Sequence, residues 1–329
     1  MKEINSPGDF LEVVNAFRIS RIILTAHELN LFTTIKDRSL TSAAAAKATG
    51  CDERATDRLM NALVPIGLLK KSGSLFSNTD FSTRFLIKGQ PMYMGGIDHM
   101  VQLWKTWSTL TDAVRAGTSV AVKKPIGERD ESWLGSFIAA MHSRAIQQAM
   151  EIAAVLDLSQ TSSVLDIGGG SGAFTFQFIR EKPSIRGTIF DLPNVIPITK
   201  QYISTEGFDQ SVTTIAGDYL TDKFGNDYDL ILLSAVIHIN SPEENKDLLR
   251  KCAEALNPGG QLVILDHVMN DDRTGPAVGA IFALNMLVGT EKGDTCTEKE
   301  IKSWMQDAGL KMIRRRDTPQ GSSMMIGIK

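Results

Sequence analysis

Beyond residue 160, short apolar runs alternate with longer amphipathic segments. This alternation is typical of a parallel sheet whose strands are joined by helices. The last two apolar runs are separated only by a short Pro-Gln-Gly turn, so they must pair antiparallel. The pattern therefore predicts an α/β fold with a C-terminal hairpin. The predicted strands are 163–168, 186–192, 212–218, 228–234 and 260–267, followed by hairpin strands at 311–318 and 322–329.

The first third of the chain has a different pattern. Large apolar residues recur at helical spacing over residues 10–32, and they are more than a small domain can cover, which predicts a homodimer interface. Two short helices follow, one capped at Thr41 or Ser42 and ended by Gly50, the other opened by Asp52. A strand–turn–strand segment, "LLKKSGSLFSN", completes a winged-helix arrangement. Its second helix has no basic face, which argues against DNA binding.

The middle of the chain connects these two patterns. An apolar stripe predicts a helix over 98–116, stopped by Gly117. The polar segment 121–132 is predicted to be a surface connection, and a long helix begins at about its end. We therefore place the domain boundary here. Residues 1–130 form the winged-helix domain with its helical connection, and residues 131–329 form the α/β domain.

The composition narrows the function classes. The chain has 329 residues, 43% of them apolar and 22% charged, with net charge −3 and pI near 6.0. These values argue against polyanion binding, which requires clustered lysines and arginines. The three cysteines have no metal or redox spacing, so we expect reduced thiols and no metal site. The sequence shows no signal peptide and no apolar run of membrane-spanning length, so we expect a soluble, cytoplasmic protein.

The segment "VLDIGGGSGAF" ends the first predicted strand at Asp166 and continues with four glycines. Glycine this dense marks a tight turn or a close approach of backbone to a ligand. Two cofactors fit the spacing. Gly168-x-Gly170-x-x-Ala173 matches the dinucleotide fingerprint. The alternative, Asp-x-Gly168-x-Gly170-x-Gly172, matches the loop that binds S-adenosylmethionine (SAM).

Acidic residues at the next two strand ends favour SAM. Ligands of open α/β sheets bind beyond the carboxyl ends of the strands. Asp191 closes the second strand, where a carboxylate can accept hydrogen bonds from a ribose diol. Asp218 closes the third strand beside Tyr219, a pair suited to an adenine amine and ring face. The alternative interpretation of both aspartates is that they form turns. Together with the C-terminal hairpin, the set favours SAM over a nicotinamide dinucleotide.

The motifs occur in an ordered set: "VLDIGGGSG", "FDLPNVI", "AGDYL", "LLSAVIH", "LNPGGQLVILD" and "TEKEIKSWMQDAGL". This set resembles the SAM-dependent small-molecule O-methyltransferases of plant phenylpropanoid and bacterial secondary metabolism, including enzymes similar to acetylserotonin O-methyltransferase. The resemblance covers almost the whole chain. It implies a Rossmann-like methyltransferase sheet behind a winged-helix dimerisation domain. It also implies a homodimer and a small, aromatic or polycyclic methyl acceptor.

The resemblance also implies roles for individual residues. The family's catalytic base matches His238, and its orienting carboxylate matches Asp266. This chain has Ile-Asn where the family has Asp-Trp after the histidine. The family's second carboxylate falls on Thr295, so that role is absent or passes to Asp294. The implied SAM contacts are Gly168, Asp191, Asp218, Tyr219 and Ser234, and the implied apolar acceptor contacts are Trp133, Phe137, Met141 and Met286.

The chemistry supports the same two catalytic residues. A phenol is mostly protonated at neutral pH, and histidine, with an ordinary pKa of about 6.5, suits removal of its proton. If the strands before His238 and up to Asp266 are adjacent, the carboxylate can hold the imidazole in its accepting tautomer. The other interpretation of His238 is a loop histidine before a capped helix. His142 is a further acceptor contact, and His267 is expected to face away as a structural residue.

Three function classes stay open. The first is a SAM-dependent methyltransferase acting on a small acceptor. The second is a SAM-binding relative that is catalytically silent, methylates carbon or nitrogen, or runs another SAM reaction. The third is a winged-helix regulator that senses a ligand. The His238–Asp266 pair favours the first class over the second, and the absence of a basic helix face disfavours the third.

Overall fold

The computed structural model describes residues 3–121, 131–319 and 321–329. Most of the predicted surface connection, and Gln320 of the Pro-Gln-Gly turn, lie outside the described residues. The chain forms two compact units, one ending at Trp104 and the other beginning at Lys105. This division lies upstream of the boundary predicted at 130/131.

The first unit consists of helices and a small three-stranded sheet. Thr41 Oγ1 accepts a hydrogen bond from the amide of Ala44 at 3.2 Å, and Asp52 Oδ1 accepts one from the amide of Ala55 at 2.8 Å. Both bonds satisfy a free amide of a helix's first turn, so the predicted caps are confirmed. The elements are α1 Pro7–Asn15, α2 Phe17–Glu28, α3 Leu31–Ile35, β1 Leu40–Thr41, α4 Ser42–Thr49, α5 Glu53–Leu63, β2 Leu69–Ser72, β3 Leu75–Asn78 and α6 Asp80–Phe85.

The predicted helix at 98–116 is two helices, α7 Ile97–Trp107 and α8 Leu110–Ala116. The hydroxyl of Thr109 donates to the carbonyl of Thr106 at 2.7 Å, a local bond that competes with helical continuation. Within the second unit, α8 packs against α13, the helix at Ala277–Gly289. Trp107 Nε1 donates to Asn285 Oδ1 at 2.8 Å, next to this packing.

The second unit contains a seven-stranded sheet in the order β11-β12-β8-β7-β4-β5-β6. The five strands β8, β7, β4, β5 and β6 pair in parallel with their neighbours. Strand β12 pairs antiparallel with both β8 and β11, which confirms the predicted hairpin. The remaining elements are α9 Glu131–Ala153, β4 Ser163–Ile167, α10 Ala173–Glu181, β5 Arg186–Asp191, α11 Ile196–Glu206, β6 Val212–Ala216, β7 Tyr228–Ser234, α12 Pro242–Ala255, β8 Leu256–Asp266, β9 Val268–Met269, β10 Cys296–Thr297, α14 Glu298–Asp307, β11 Lys311–Asp317 and β12 Ser323–Ile328.

The order in which successive strands are added to the sheet reverses at its centre, between β4 and β7. From β4 the chain moves outward to β5 and β6, and it then returns to β7 and β8 on the other side. Ligands of such sheets bind where the strand order reverses, at the carboxyl ends of the strands. A ligand site is therefore expected beyond the carboxyl ends of β4 and β7. Among the described helices, none is both long and apolar enough to cross a membrane.

Candidate active site

The glycine loop and the His238 segment meet at this edge. Strands β4 and β7 pair in parallel with Ile167 opposite Leu233, so both chains leave the sheet together. A Cβ placed on Gly168 would lie 3.0 Å from the side chain of Val236, two residues before His238. The two segments are thus in contact.

The loop conformation requires glycine. Gly168, Gly170 and Gly172 have φ of 67°, 55° and 84°, which side chains disfavour. A Cβ on Gly172 would also lie 2.6 Å from Ile189 Cδ1, inside the sheet–helix packing. The glycines therefore let the backbone turn closely from β4 into α10 and present its amides at the rim.

Two side chains hold this loop from outside. Asp191 Oδ2 accepts a hydrogen bond from the amide of Gly170 at 2.8 Å, and its Oδ1 accepts one from Leu192 at 2.7 Å. Burial raises the pKa of Asp191 to about 6, although both amide bonds act to lower it. Thr199 Oγ1, on α11, donates to the carbonyl of Gly170 at 2.6 Å. Asp191, which the sequence predicts to bind a ribose diol, therefore lies directly beside the loop.

Asp166 lies in a different place from the one expected of a cofactor contact. It is 1% exposed and sits beneath the loop, where Oδ2 accepts the hydroxyl of Thr175 at 2.9 Å. Its Oδ1 has no hydrogen-bond partner among the described residues. Burial raises the pKa of Asp166 to about 7. The carboxyl therefore shapes the loop from below instead of facing the rim, because its side of β4 packs against α10.

The residues predicted to hold the adenine follow the neighbouring strands. Asp218 Oδ1 accepts the amide of Leu220 at 2.9 Å, which is the turn-forming contact of the alternative interpretation. Burial raises the pKa of Tyr219, so its phenol stays protonated and donates to Asn240 Oδ1 at 2.9 Å. Ser234 is the last residue of β7 and is half-buried. All three lie at carboxyl ends of the parallel strands.

His238 and Asp266 form a buried pair. The imidazole Nδ1 lies 2.8 Å and 3.0 Å from the two carboxylate oxygens of Asp266. The side chains come together because β7 and β8 are adjacent parallel strands, with Ser234 opposite Leu265. Burial alone would raise the pKa of Asp266, but the charge and hydrogen bond of His238 lower it below its ordinary value. The pair holds Nε2 as the ring nitrogen left for chemistry.

The backbone around His238 is fixed by buried amides. The residue sits in a single 3-10 turn, Ile237–Ile239. Asn245 Nδ2 donates to the carbonyl of Ile237 at 2.8 Å, and Asn240 Nδ2 donates to Asn245 Oδ1 at 3.0 Å. Asn240, which replaces the family's tryptophan, therefore links Tyr219 to the His238 turn.

An aromatic ring of α13 packs against His238. The sequence did not indicate this contact. The ring of Phe282 lies 4.9 Å from that of His238, edge-on at 88°, and 4.3 Å from that of His267. His267 is buried, as expected of a structural residue, but it contacts the same ring as His238 instead of facing away. Burial is the main cause that lowers the pKa of His267. Helix α13 is apolar on all sides, so periodicity could not single out Phe282.

The predicted acceptor contacts divide into two groups. Trp133 and Phe137 stack at 5.1 Å with an angle of 10° on α9. Met141 follows on the same helix and is half-buried. Met286 is buried one helical turn beyond Phe282 on α13. These four therefore belong to two helices of the second unit.

His142 and Asp294 have partners that the sequence did not indicate. His142 Nδ1 lies 2.8 Å from Ser171 Oγ, so this residue contacts the glycine loop. Asp294 pairs with Arg273 at 3.1 Å, and Thr295 is buried.

The arrangement combines a ligand-binding loop with an oriented base. The geometry suits an imidazole base beside a loop that can hold a nucleoside. Among the described residues, no cluster of His, Cys, Asp or Glu has a metal-binding arrangement.

Comparisons with known proteins agree with this geometry. Residues 107–311 match the model of an O-methyltransferase domain, and residues 11–88 match an O-methyltransferase dimerisation domain. The chain is 30% identical to the 3-hydroxy-5-methyl-1-naphthoate 3-O-methyltransferase of Streptomyces sahachiroi, over 94% of this chain and 92% of the relative. It is 27% identical to acetylserotonin O-methyltransferase of Gallus gallus, over 100% and 99%. An O-methyltransferase family protein from Burkholderia thailandensis has a similar structure, with TM-score 0.87 and 27% identity over 99% of both chains.

Proposed function

Since this chain belongs to the O-methyltransferase family and is a SAM-dependent enzyme of the small-molecule type, we propose that it methylates a hydroxyl of an aromatic or polycyclic acceptor, with His238 as general base. The observation that carries the proposal is the His238–Asp266 pair at the carboxyl ends of β7 and β8. The carboxylate orients the imidazole through Nδ1, which leaves Nε2 to take up the acceptor's proton.

The residues around the glycine loop fit SAM. Bound there, SAM supplies an activated methyl group on a positively charged sulfur. Gly168, Gly170 and Gly172 provide a close backbone approach without side chains. Asp191 provides a carboxylate at the rim, suited to a ribose diol. We assign Asp218, Tyr219 and Ser234 to the adenine side, and Asp166 to support of the loop from below.

We propose that the acceptor binds against the apolar residues of α9 and α13. Trp133, Phe137, Met141 and Met286 offer flat and flexible apolar surface, which suits an aromatic ring system. Two relatives are named for O-methylation of aromatic acceptors, a hydroxynaphthoate and acetylserotonin.

The N-terminal unit supports a homodimer. Helix α1 buries none of its residues within the chain, and it exposes about half of the surface of each of Phe10, Leu11 and Val14. Such a contiguous apolar face marks an interface, and this segment overlaps the dimerisation domain. Light scattering at micromolar concentration should give twice the 36.0 kDa of one chain. A monodisperse monomer would contradict the proposal.

The catalytic proposal is tested by His238→Gln, which keeps size and polarity but cannot take up a proton. We expect this variant to bind S-adenosylhomocysteine (SAH) like the parent in calorimetry, and to transfer methyl groups about 10²–10⁴-fold more slowly. The assay uses labelled SAM with hydroxynaphthoates and acetylserotonin. Parent-like turnover by the glutamine variant would remove His238 as base and indicate an acceptor that needs no deprotonation.

A further inference from the structure

Helix α9 contacts both halves of the proposed site. Trp133 and Phe137, the stacked pair assigned to the acceptor, lie on its first turns. His142 lies further along the helix, with its Nδ1 2.8 Å from Ser171 Oγ in the glycine loop. The His142 ring also packs against Tyr202 of α11 at 4.4 Å. One helix therefore carries acceptor contacts and a direct bond to the cofactor loop.

The other hydrogen bonds to the loop come from elements without acceptor residues. Asp191 and Thr199 hold Gly170 from the end of β5 and from α11. On α9, His142 bonds to the loop at Ser171, and Ile138 packs beside it, since a Cβ placed on Gly170 would lie 3.6 Å from Ile138 Cδ1. Ser171 is buried and His142 is half-buried, so the bond is partly shielded from water.

We propose that the His142–Ser171 hydrogen bond couples the two binding sites, so that a nucleoside cofactor in the glycine loop holds α9 in its acceptor-binding position. His142 is then a positioning residue and not an acceptor contact. Burial lowers the pKa of His142, so the ring is neutral at pH 7 and can either accept from or donate to the serine hydroxyl. Glu206 and Arg180 are the charged groups that face it, and their effects oppose each other. The inference rests on the proposed function for the assignment of the acceptor to α9.

The test is hydrogen–deuterium exchange of the peptide spanning 133–142, with and without SAH. In the parent, SAH should slow exchange in both the glycine loop and α9. His142→Leu should keep the loop effect, lose the α9 effect, and bind SAH roughly threefold to tenfold more weakly, as expected for one lost hydrogen bond. His142→Asn places an amide where Nδ1 lies and should restore the α9 effect.

Matched variants separate the bond from general destabilisation. Gln147→Ala, an exposed change on the same helix that loses only a bond to Glu151, should behave like the parent. Ser171→Ala cuts the same bond from the loop side and replaces His142→Leu if that variant fails to fold. If α9 is protected by SAH in both variants that lack the bond, the coupling is overturned. If the parent binds no SAH in calorimetry, the proposed function itself fails.

Discussion

Three carboxyl groups, two of them buried and Asp191 half-buried, lie along one edge of the sheet, yet their pKa values move in opposite directions. On the β4–β5 side, burial raises the pKa of Asp166 to about 7 and that of Asp191 to about 6. On the β7–β8 side, burial acts in the same sense on Asp266, but His238 lowers its pKa below the ordinary value. The partners differ: a hydroxyl and backbone amides on one side, an imidazole that can become positive on the other.

This contrast shows that the partner, more than the depth of burial, decides which form of a buried carboxyl is stable. Asp166 supports the loop from below, a role that a protonated group can also fill, whereas Asp191 holds the loop and is assigned to the ribose. Asp266 must stay charged to orient His238. Each half of the site thus has the electrostatics that its proposed role requires.

The largest effect is expected on the β7–β8 side. Asp266→Asn removes the charge, and its amide can also donate to Nδ1 and so hold the imidazole in the wrong tautomer, so turnover should fall about 10²-fold. SAH affinity should stay unchanged. Steady-state kinetics with an acceptor that the parent methylates would measure the loss.

Asp229, at the amino end of β7, provides a control. Asp229 accepts the amide of Ser162 at 2.8 Å, remote from the strand ends that carry His238. Asp229→Asn removes a well-bonded carboxylate without touching the site, so turnover should stay at the parental level. Equal losses in the two variants would show that Asp266 acts through stability alone.

On the β4–β5 side, Asp191→Ala should weaken SAH binding roughly 10-fold to 100-fold, since hydrogen bonds to a charged group are worth about 1.5–3 kcal/mol. Calorimetry with SAH measures this directly. Thr199→Val removes the neighbouring bond to Gly170 but keeps the carboxylate, so it should cost only a few-fold. Full-strength binding by the alanine variant would remove Asp191 from the cofactor site.

The strand positions could be predicted from apolar periodicity, and the His238–Asp266 pair on the condition that their two strands are adjacent, because the carboxyl ends of parallel strands meet at one edge. The contact of His142 with Ser171 could not, since no strand pairing relates them and the sequence does not determine which side of α9 packs on the loop. Phe282 was missed because α13 is apolar on every face. The break between α7 and α8 was missed because it depends on one hydroxyl–carbonyl bond of Thr109.

The smallest effect concerns Asp166 and the stability of the ligand-free protein. Its pKa is about 7 in the folded chain, against an ordinary value near 4. The folded state therefore holds the proton more tightly than the unfolded state, and stability falls as pH rises through 7. Between pH 6 and pH 8 this one group should lower the free energy of unfolding by about 1.4 kcal/mol.

Asp166→Asn cannot ionise, and its amide oxygen can still accept the hydroxyl of Thr175. Urea unfolding at pH 6, 7 and 8 should therefore show a flatter pH dependence for the variant than for the parent. Asp191 titrates in both proteins, so the difference between the two curves isolates Asp166. Parallel curves would mean that Asp166 is already ionised at pH 6. The contrast between the two sides of the sheet would then rest on Asp191 alone.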